Sequence, residues 1–188
     1  MPGLLIEAAS SCLLAVDLQE RLAPAIGGRA ALLGKARFLL QAAGRLSVPV
    51  LLTEQYPKGL GHTLPEIAEL APQAARIEKT AFSSWAEPAF RESFRALGRS
   101  QVVLMGTEAH VCVLQTGLGL LGEGVALFVV ADAVGSRDPA DTRLALRRLE
   151  RAGAVIVSAE MVVFEWLERA ASEDFRDLLP LIKQGPSS

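Results

Sequence analysis

Gln101-Val102-Val103-Leu104-Met105-Gly106-Thr107-Glu108-Ala109-His110-Val111-Cys112-Val113-Leu114 opens as an unbroken apolar run, stops at a glycine, and becomes a helical pattern near Val111. An apolar run without polar alternation suits a strand covered on both faces, as in a parallel sheet flanked by helices. Cys112 therefore sits where a strand gives way to a helix. Such a junction directs free backbone N–H groups and the positive end of a helix dipole at the sulfur, which favours thiolate over thiol. The competing reading is a buried structural cysteine, because free cysteine packs as a small hydrophobe.

The same rhythm recurs along the chain. Further strands are expected at Cys12–Val16, Pro49–Leu52, Arg76–Glu78, Ala126–Val130 and Ala154–Val157. Helical spacing marks Ala30–Leu46, Ala86–Leu97, Val111–Leu121, Ala140–Ala152, Glu160–Ala170 and Phe175–Ile182. In the helix over 140–152, Leu144, Ala145, Leu146 and Leu149 are assigned to one face, with Arg143, Arg147 and Arg148 turned to water, and Gly153 ends it. Strands alternating with helices read as βαβ units. The expected fold is a three-layer α/β/α, Rossmann-like domain with a mainly parallel sheet of about six strands. No repeat or linker interrupts residues 1–188, which read as a single domain with a frayed tail at 184–188. Tyr56–Ala74, rich in Pro and Gly, is the longest stretch without a clear element, and loops of that length tend to be functional.

With 188 residues, 51% of them hydrophobic, the chain has material for one well-buried core. No apolar run reaches the roughly 18 residues of a membrane span. Met1–Glu7 lacks the basic and apolar regions of a secretory leader. A net charge of −2 with scattered Lys and Arg offers nucleic acid no basic patch. The two cysteines, Cys12 and Cys112, form no Cys-x-x-Cys pair, so zinc and dithiol chemistry are not expected. Cys12 reads as core, and a reducing cytoplasmic location suits the pattern.

Ligands of parallel α/β sheets bind outside the carboxyl ends of the strands. The first apolar run stops at Asp17, the third at Lys79, and the fourth is followed by Cys112. A carboxylate, an ammonium and a thiol thus reach one edge of the sheet. Alone, Asp17 could cap a helix and Lys79 could be a solvated loop residue. Together, the carboxylate can take the thiol proton as general base while the ammonium stabilises thiolate and holds the carboxylate ionised. Attack on a carbonyl carbon would give a thioester-type intermediate that water clears.

These residues, with Asp17-Leu18-Gln19, Lys79-Thr80-Ala81-Phe82-Ser83, Gly106…Cys112-Val113 and Asp132–Arg137, resemble the isochorismatase-like cysteine hydrolase superfamily over nearly the whole chain. Thr53–Gly61 followed by Gly-x-Glu-Ala is most similar to its isochorismatase-domain branch of uncertain substrate. The resemblance implies an Asp17–Lys79–Cys112 catalytic triad. It also implies a cis Thr107–Glu108 peptide that turns the Glu108 N–H toward the Cys112 N–H to form an oxyanion hole. Nicotinamidases of the superfamily carry an Asp/His metal cluster after the second strand; here stand Glu54, Gln55, Tyr56 and a lone His62, read as solvated, so neither metal nor cofactor is expected. His110 is read as a helix-entry residue.

Retention of the thiol favours a small amide, carbamoyl compound or related carbonyl substrate over a vinyl ether. Gln19, Tyr56, Phe82 and Trp85 are candidates to line the pocket, with Gln19 alternatively orienting Asp17, and the aromatics alternatively plain packing. Asp132 is expected to brace a loop, with Arg137 as its ion-pair partner. A homo-oligomer is expected from the family; Val162, Val163 and Trp166 would suit an interface or, equally, a core. Two other readings of the chain are a non-catalytic interaction protein and a thiol-based redox sensor.

Overall fold

A computed structural model describes residues 5–184, so the final tail residues, 185–188, lie outside the described residues. Six strands form one sheet: β1 (Ser11–Val16), β2 (Val50–Gln55), β3 (Ala75–Lys79), β4 (Gln101–Thr107), β5 (Ala126–Gly135) and β6 (Val155–Val157). All pairs are parallel, in the order β3-β2-β1-β4-β5-β6. The helices are α1 (Arg29–Arg45), α2 (Pro57–Leu60), α3 (Pro65–Ala68), α4 (Pro88–Ala96), α5 (Leu114–Gly122), α6 (Pro139–Arg151), α7 (Ala159–Leu167) and α8 (Glu173–Gln184). The expected three-layer α/β/α architecture is the observed one. The two shortest helices, α2 and α3, fall in the segment read as a loop, each opening on a proline.

Alternation along each strand divides the core. Leu13, Ala15, Val103, Met105, Phe128 and Val130 pack toward α1 and α7. Cys12, Leu14, Val102, Leu104, Leu127 and Val129 pack toward α4, α5 and α6. Cys12 is fully buried, as expected of a core residue. Helix starts follow local chemistry. The Asp138 carboxylate accepts from the Ala140 N–H (2.8 Å) ahead of Pro139, and Ser158 caps α7 at the Met161 N–H (3.2 Å).

One alternative is decided and two expectations change. Val162, Val163 and Trp166 belong to the core, where the Trp166 indole N–H reaches the Ser11 hydroxyl; the exposed apolar residues of α7 are Met161 and Phe164. On α6 the buried residues are Ala145 and Leu149, one helical turn apart, which leaves Leu144 exposed. Asp132 accepts from the Ala159 N–H (2.8 Å) but pairs with Lys35 (3.1 Å), while Arg137 pairs with Glu108 (2.9 Å). Asp132 lies in a break of the β4–β5 register, where Leu104 faces Val129 but Gly106 faces Val134, and that break aims it at α1 and α7 rather than at Arg137.

The strand order reverses between β1 and β4, the switch point at which doubly wound sheets open a crevice. There Gly106 lies level with Val16. A Cβ on Gly106 would meet the Val16 carbonyl oxygen at 2.1 Å, and its φ of 139° is one that L side chains rarely adopt. Gly106→Ala is therefore expected to destabilise the fold by about 3 kcal/mol or more, by overpacking against backbone plus backbone strain. Urea unfolding followed by circular dichroism checks this.

Candidate active site

Asp17 leaves the end of β1 with a left-handed backbone (φ 55°) and a fully buried side chain. Its N–H donates to the Thr53 carbonyl (3.1 Å), and its own carbonyl accepts from the Thr107 hydroxyl (2.6 Å). The carboxylate is divided between two tasks. Oδ1 accepts from the Thr53 hydroxyl (2.7 Å), and Oδ2 stands 2.8 Å from the Lys79 ammonium. That ion contact is close but off-axis for a hydrogen bond, so among the described residues Oδ2 has no hydrogen-bond donor and keeps a lone pair.

Lys79 ends β3, two strands away, and its ammonium reaches across the end of β2 with no exposed side-chain surface. Besides its ion contact with Asp17, it donates to Gln55 Oε1, to the Phe82 carbonyl (3.2 Å) and, at longer range, to the Ala81 carbonyl (3.4 Å). The loop that supplies those carbonyls is held at both ends. Glu87 accepts from the Thr80 and Ala81 N–H groups (2.9 and 3.0 Å), which hold its carboxyl below the usual range. The Ser84 N–H donates to the Thr116 hydroxyl of α5 (2.8 Å).

Cys112 lies in a single π-turn, Ala109–Val113, that leads into α5. Such turns recur at functional sites. Its sulfur is 3.9 Å from Gln55 Oε1 and within the influence of both Asp17 and Lys79. The structure thus brings together the three residues read from strand ends. The thiol, however, is not held as thiolate. Burial and the Asp17 carboxylate push its pKa up to about 12, against the smaller opposing effect of Lys79. The helix end does not overcome the desolvation of Cys112, a residue only 3% exposed.

The Thr107–Glu108 peptide is trans, since the described residues contain no cis bond. The expected cis bond is absent, and the backbone leaves ordinary strand geometry on either side of Thr107, at Gly106 (φ 139°) and Glu108 (φ 53°). The Glu108 carboxylate is anchored by Arg137 (2.9 Å), and His110 Nδ1 is 2.9 Å from the Ser136 hydroxyl.

The pocket candidates separate. Tyr56 and Phe82 are more than half exposed and flank the Lys79 loop, with the Tyr56 N–H donating to the Lys79 carbonyl (2.9 Å). Trp85 faces away: it packs edge-on against Phe90 and Phe94, lies over Gly119, and donates to Glu123 (3.2 Å). Gln19 is fully buried and commits its amide to backbone, donating to the Gln55 and Gly61 carbonyls (3.0 and 2.6 Å) and accepting from the Gln55 N–H (2.8 Å). It braces β2 rather than facing a ligand. His62 is not simply solvated, because Nδ1 contacts Glu54 (2.9 Å), which pulls its pKa up. Gln55 was missed. A neutral residue at the end of a strand carries no titratable signature in sequence, although the rule that singled out Asp17 and Lys79 also covers its position.

Residues 11–161 match the family described as Isochorismatase domain. The chain belongs to that family. Isochorismatase domain-containing protein 2A of Mus musculus is 38% identical over 179 residues, covering 93% of this chain and 84% of that protein. A Caenorhabditis elegans structure described as MAR1 ribonuclease is 36% identical, with a TM-score of 0.91 over 98% of this chain and 95% of the other. YcaC from Pseudomonas aeruginosa, solved with hexane-2,5-diol and covalent acrylamide, is 25% identical with a TM-score of 0.89 over 98% of each chain.

Removing one member of a buried ion pair strands the other charge. Asp17→Ala is expected to destabilise the isochorismatase-domain fold by about 3–5 kcal/mol, and Asp17→Ala combined with Lys79→Met by distinctly less. Denaturant midpoints of the two variants check the difference.

Proposed function

We propose that this chain is a hydrolase that cleaves a small amide, carbamoyl compound or related carbonyl substrate through a covalent Cys112 intermediate. The observation that carries the reading is the meeting of Asp17, Lys79 and Cys112 at one sheet edge, with a lone pair of Asp17 Oδ2 left over. Burial and the Asp17 carboxylate favour the neutral thiol, so in this reading the proton leaves sulfur as the sulfur attacks. Asp17 Oδ2 takes that proton while the S–C bond forms and the carbonyl electrons move to oxygen. Lys79 offsets the charge moving through the cluster.

The backbone N–H of Cys112 is the donor proposed to receive the oxyanion, because the trans Thr107–Glu108 peptide removes the arrangement that would have turned the Glu108 N–H toward it; such a donor contributes about 3–4 kcal/mol in the transition state. Collapse expels the amine or alcohol with the proton held on Asp17. Water, deprotonated by Asp17, then cleaves the thioester and returns the thiol. The reading uses no metal and no cofactor.

A space opens beside the end of the Lys79 strand, although neither Asp17 nor Cys112 borders it. A cavity of about 320 Å³ is bordered by Tyr56, Pro57, Lys58, Thr80 and Glu87, at the small end for a ligand site. A larger cavity of about 570 Å³ lies at the opposite, amino edge of the sheet, and no ionisable side chain lines it. Covalent acrylamide in the Pseudomonas aeruginosa relative supports a reactive nucleophile on this fold. The 23%-identical Escherichia coli YcaC is described as an octameric hydrolase of unknown specificity, and a homo-oligomer is proposed here as well. The proposed location is the cytoplasm; no helix among the described residues is long and apolar enough to cross a membrane.

A panel of small amides, carbamoyl compounds and esters tests the reading. Cys112→Ala should abolish turnover with the circular dichroism spectrum unchanged, and a substrate adduct should appear by mass spectrometry on Cys112 and not on Cys12. A persistent rate in Cys112→Ala rules out thiol catalysis. The proposed substrate is not a nucleic acid, so incubation with single-stranded RNA should give no cleavage that depends on Cys112.

A further inference from the structure

Outside the three reactive groups, Gln55 is a side chain that contacts two of them, Lys79 and Cys112. Its orientation is settled by its partners. Nε2 donates to the Thr80 carbonyl (2.9 Å), so Oε1 must be the atom turned toward Lys79 and Cys112. Its backbone is locked as well, gripped on both sides by the Gln19 amide. Oε1 therefore accepts from the Lys79 ammonium and stands 3.9 Å from the Cys112 sulfur, inside a buried site.

We propose that Gln55 is a positioning residue that keeps the resting nucleophile protonated: its carbonyl oxygen occupies one Lys79 N–H that would otherwise turn to the sulfur, and it offers the Cys112 S–H an acceptor. The proposal rests on the reading of Cys112 as nucleophile given above. An amide oxygen can accept a proton contact but cannot take the proton, so it favours thiol over thiolate without competing with Asp17 as base. It also turns a lone pair toward the sulfur, which opposes anion formation there. Both effects have one sign. The other charged groups acting on Cys112 are Asp17 from the end of β1 and Lys79 from the end of β3. On the cysteine's own turn, Glu108 is engaged by Arg137, and the His110 ring lies between Ser136 and Asp141. A thiol held this way is spared from stray electrophiles and oxidants until a carbonyl group is presented to it.

The test is the pH dependence of Cys112 modification by iodoacetamide, read by peptide mass, which needs no substrate. Gln55→Met removes the acceptor and frees the Lys79 N–H, so the midpoint should fall and modification at pH 8 should be at least about tenfold faster than in wild type. Gln55→Glu keeps an acceptor but adds a negative charge near the sulfur, so the midpoint should rise and modification at pH 8 should be at least about tenfold slower. A residue that merely braced the Thr80 turn would lower the melting temperature of both variants without moving their midpoints in opposite directions. Should Gln55→Met fail to fold, Gln55→Asn, whose shorter arm withdraws the acceptor, must give the same downward shift. Unchanged midpoints, or shifts of one sign in both variants, overturn the proposal. That failure leaves the hydrolase reading standing if Cys112→Ala is inactive, whereas an active Cys112→Ala overturns the hydrolase reading whatever the midpoints show.

Discussion

The buried pair between Lys79 and Asp17 is the constraint around which this end of the molecule is built. Neither side chain has exposed surface, and the charges stand 2.8 Å apart. Attraction at that distance does not by itself repay the desolvation of two ions. Hydrogen bonds from the rest of the site make up the difference. Thr53 donates to Asp17, while Gln55 and the Phe82 carbonyl accept from Lys79. Each of those acceptors needs a fixed backbone, and this accounts for the buried Gln19 amide on β2 and the Glu87 carboxylate on the Thr80–Ala81 turn. The ion pair and its polar surroundings are one cooperative structure.

The same arrangement sets the protonation of the nucleophile. A sulfur beside one carboxylate and one ammonium gains nothing in net charge from its neighbours, so burial decides, and burial favours the neutral thiol. This inverts the expectation drawn from a helix entrance. The backbone near Cys112 is a π-turn that the Glu108 turn feeds from a left-handed conformation, and its partial charges act on a sulfur that has lost its water. A site of this kind stores its reactivity in a proton acceptor rather than in a standing anion.

What sequence made legible was whatever periodicity and strand ends encode. The apolar runs located all six strands, and the residues just past them located Asp17, Lys79 and Cys112. The illegible parts depend on direction. Trp85 and Phe82 are three residues apart in one loop, yet Trp85 turns onto Phe90 and Phe94 while Phe82 stays exposed, and no spacing rule separates them. Leu144 looks as apolar as Leu149 but falls on the outer side of α6. Arg137 and Asp132 are close in sequence, but the register break in β5 gives each a different partner. Gln55 stayed hidden because its importance lies in contacts to residues 24 and 57 positions away.

Those long-range ties bear on how the site can move. Lys79 and Cys112 arrive on different strands, with β2 and β1 between β3 and β4. The sheet fixes the strand ends, but the loop after β3 is also fastened to the nucleophile helix, through Ser84 to Thr116 and through the Ser83 hydroxyl to the Gln115 carbonyl (3.2 Å). A displacement of that loop therefore moves the Phe82 carbonyl that holds the ammonium and pulls on the helix that carries the sulfur. Tyr56 and Phe82, exposed and attached to the same turn, are the surfaces a substrate can push against. A movement of that loop large enough to uncover Cys112, a residue only 3% exposed, would therefore also shift the carbonyl that holds the ammonium.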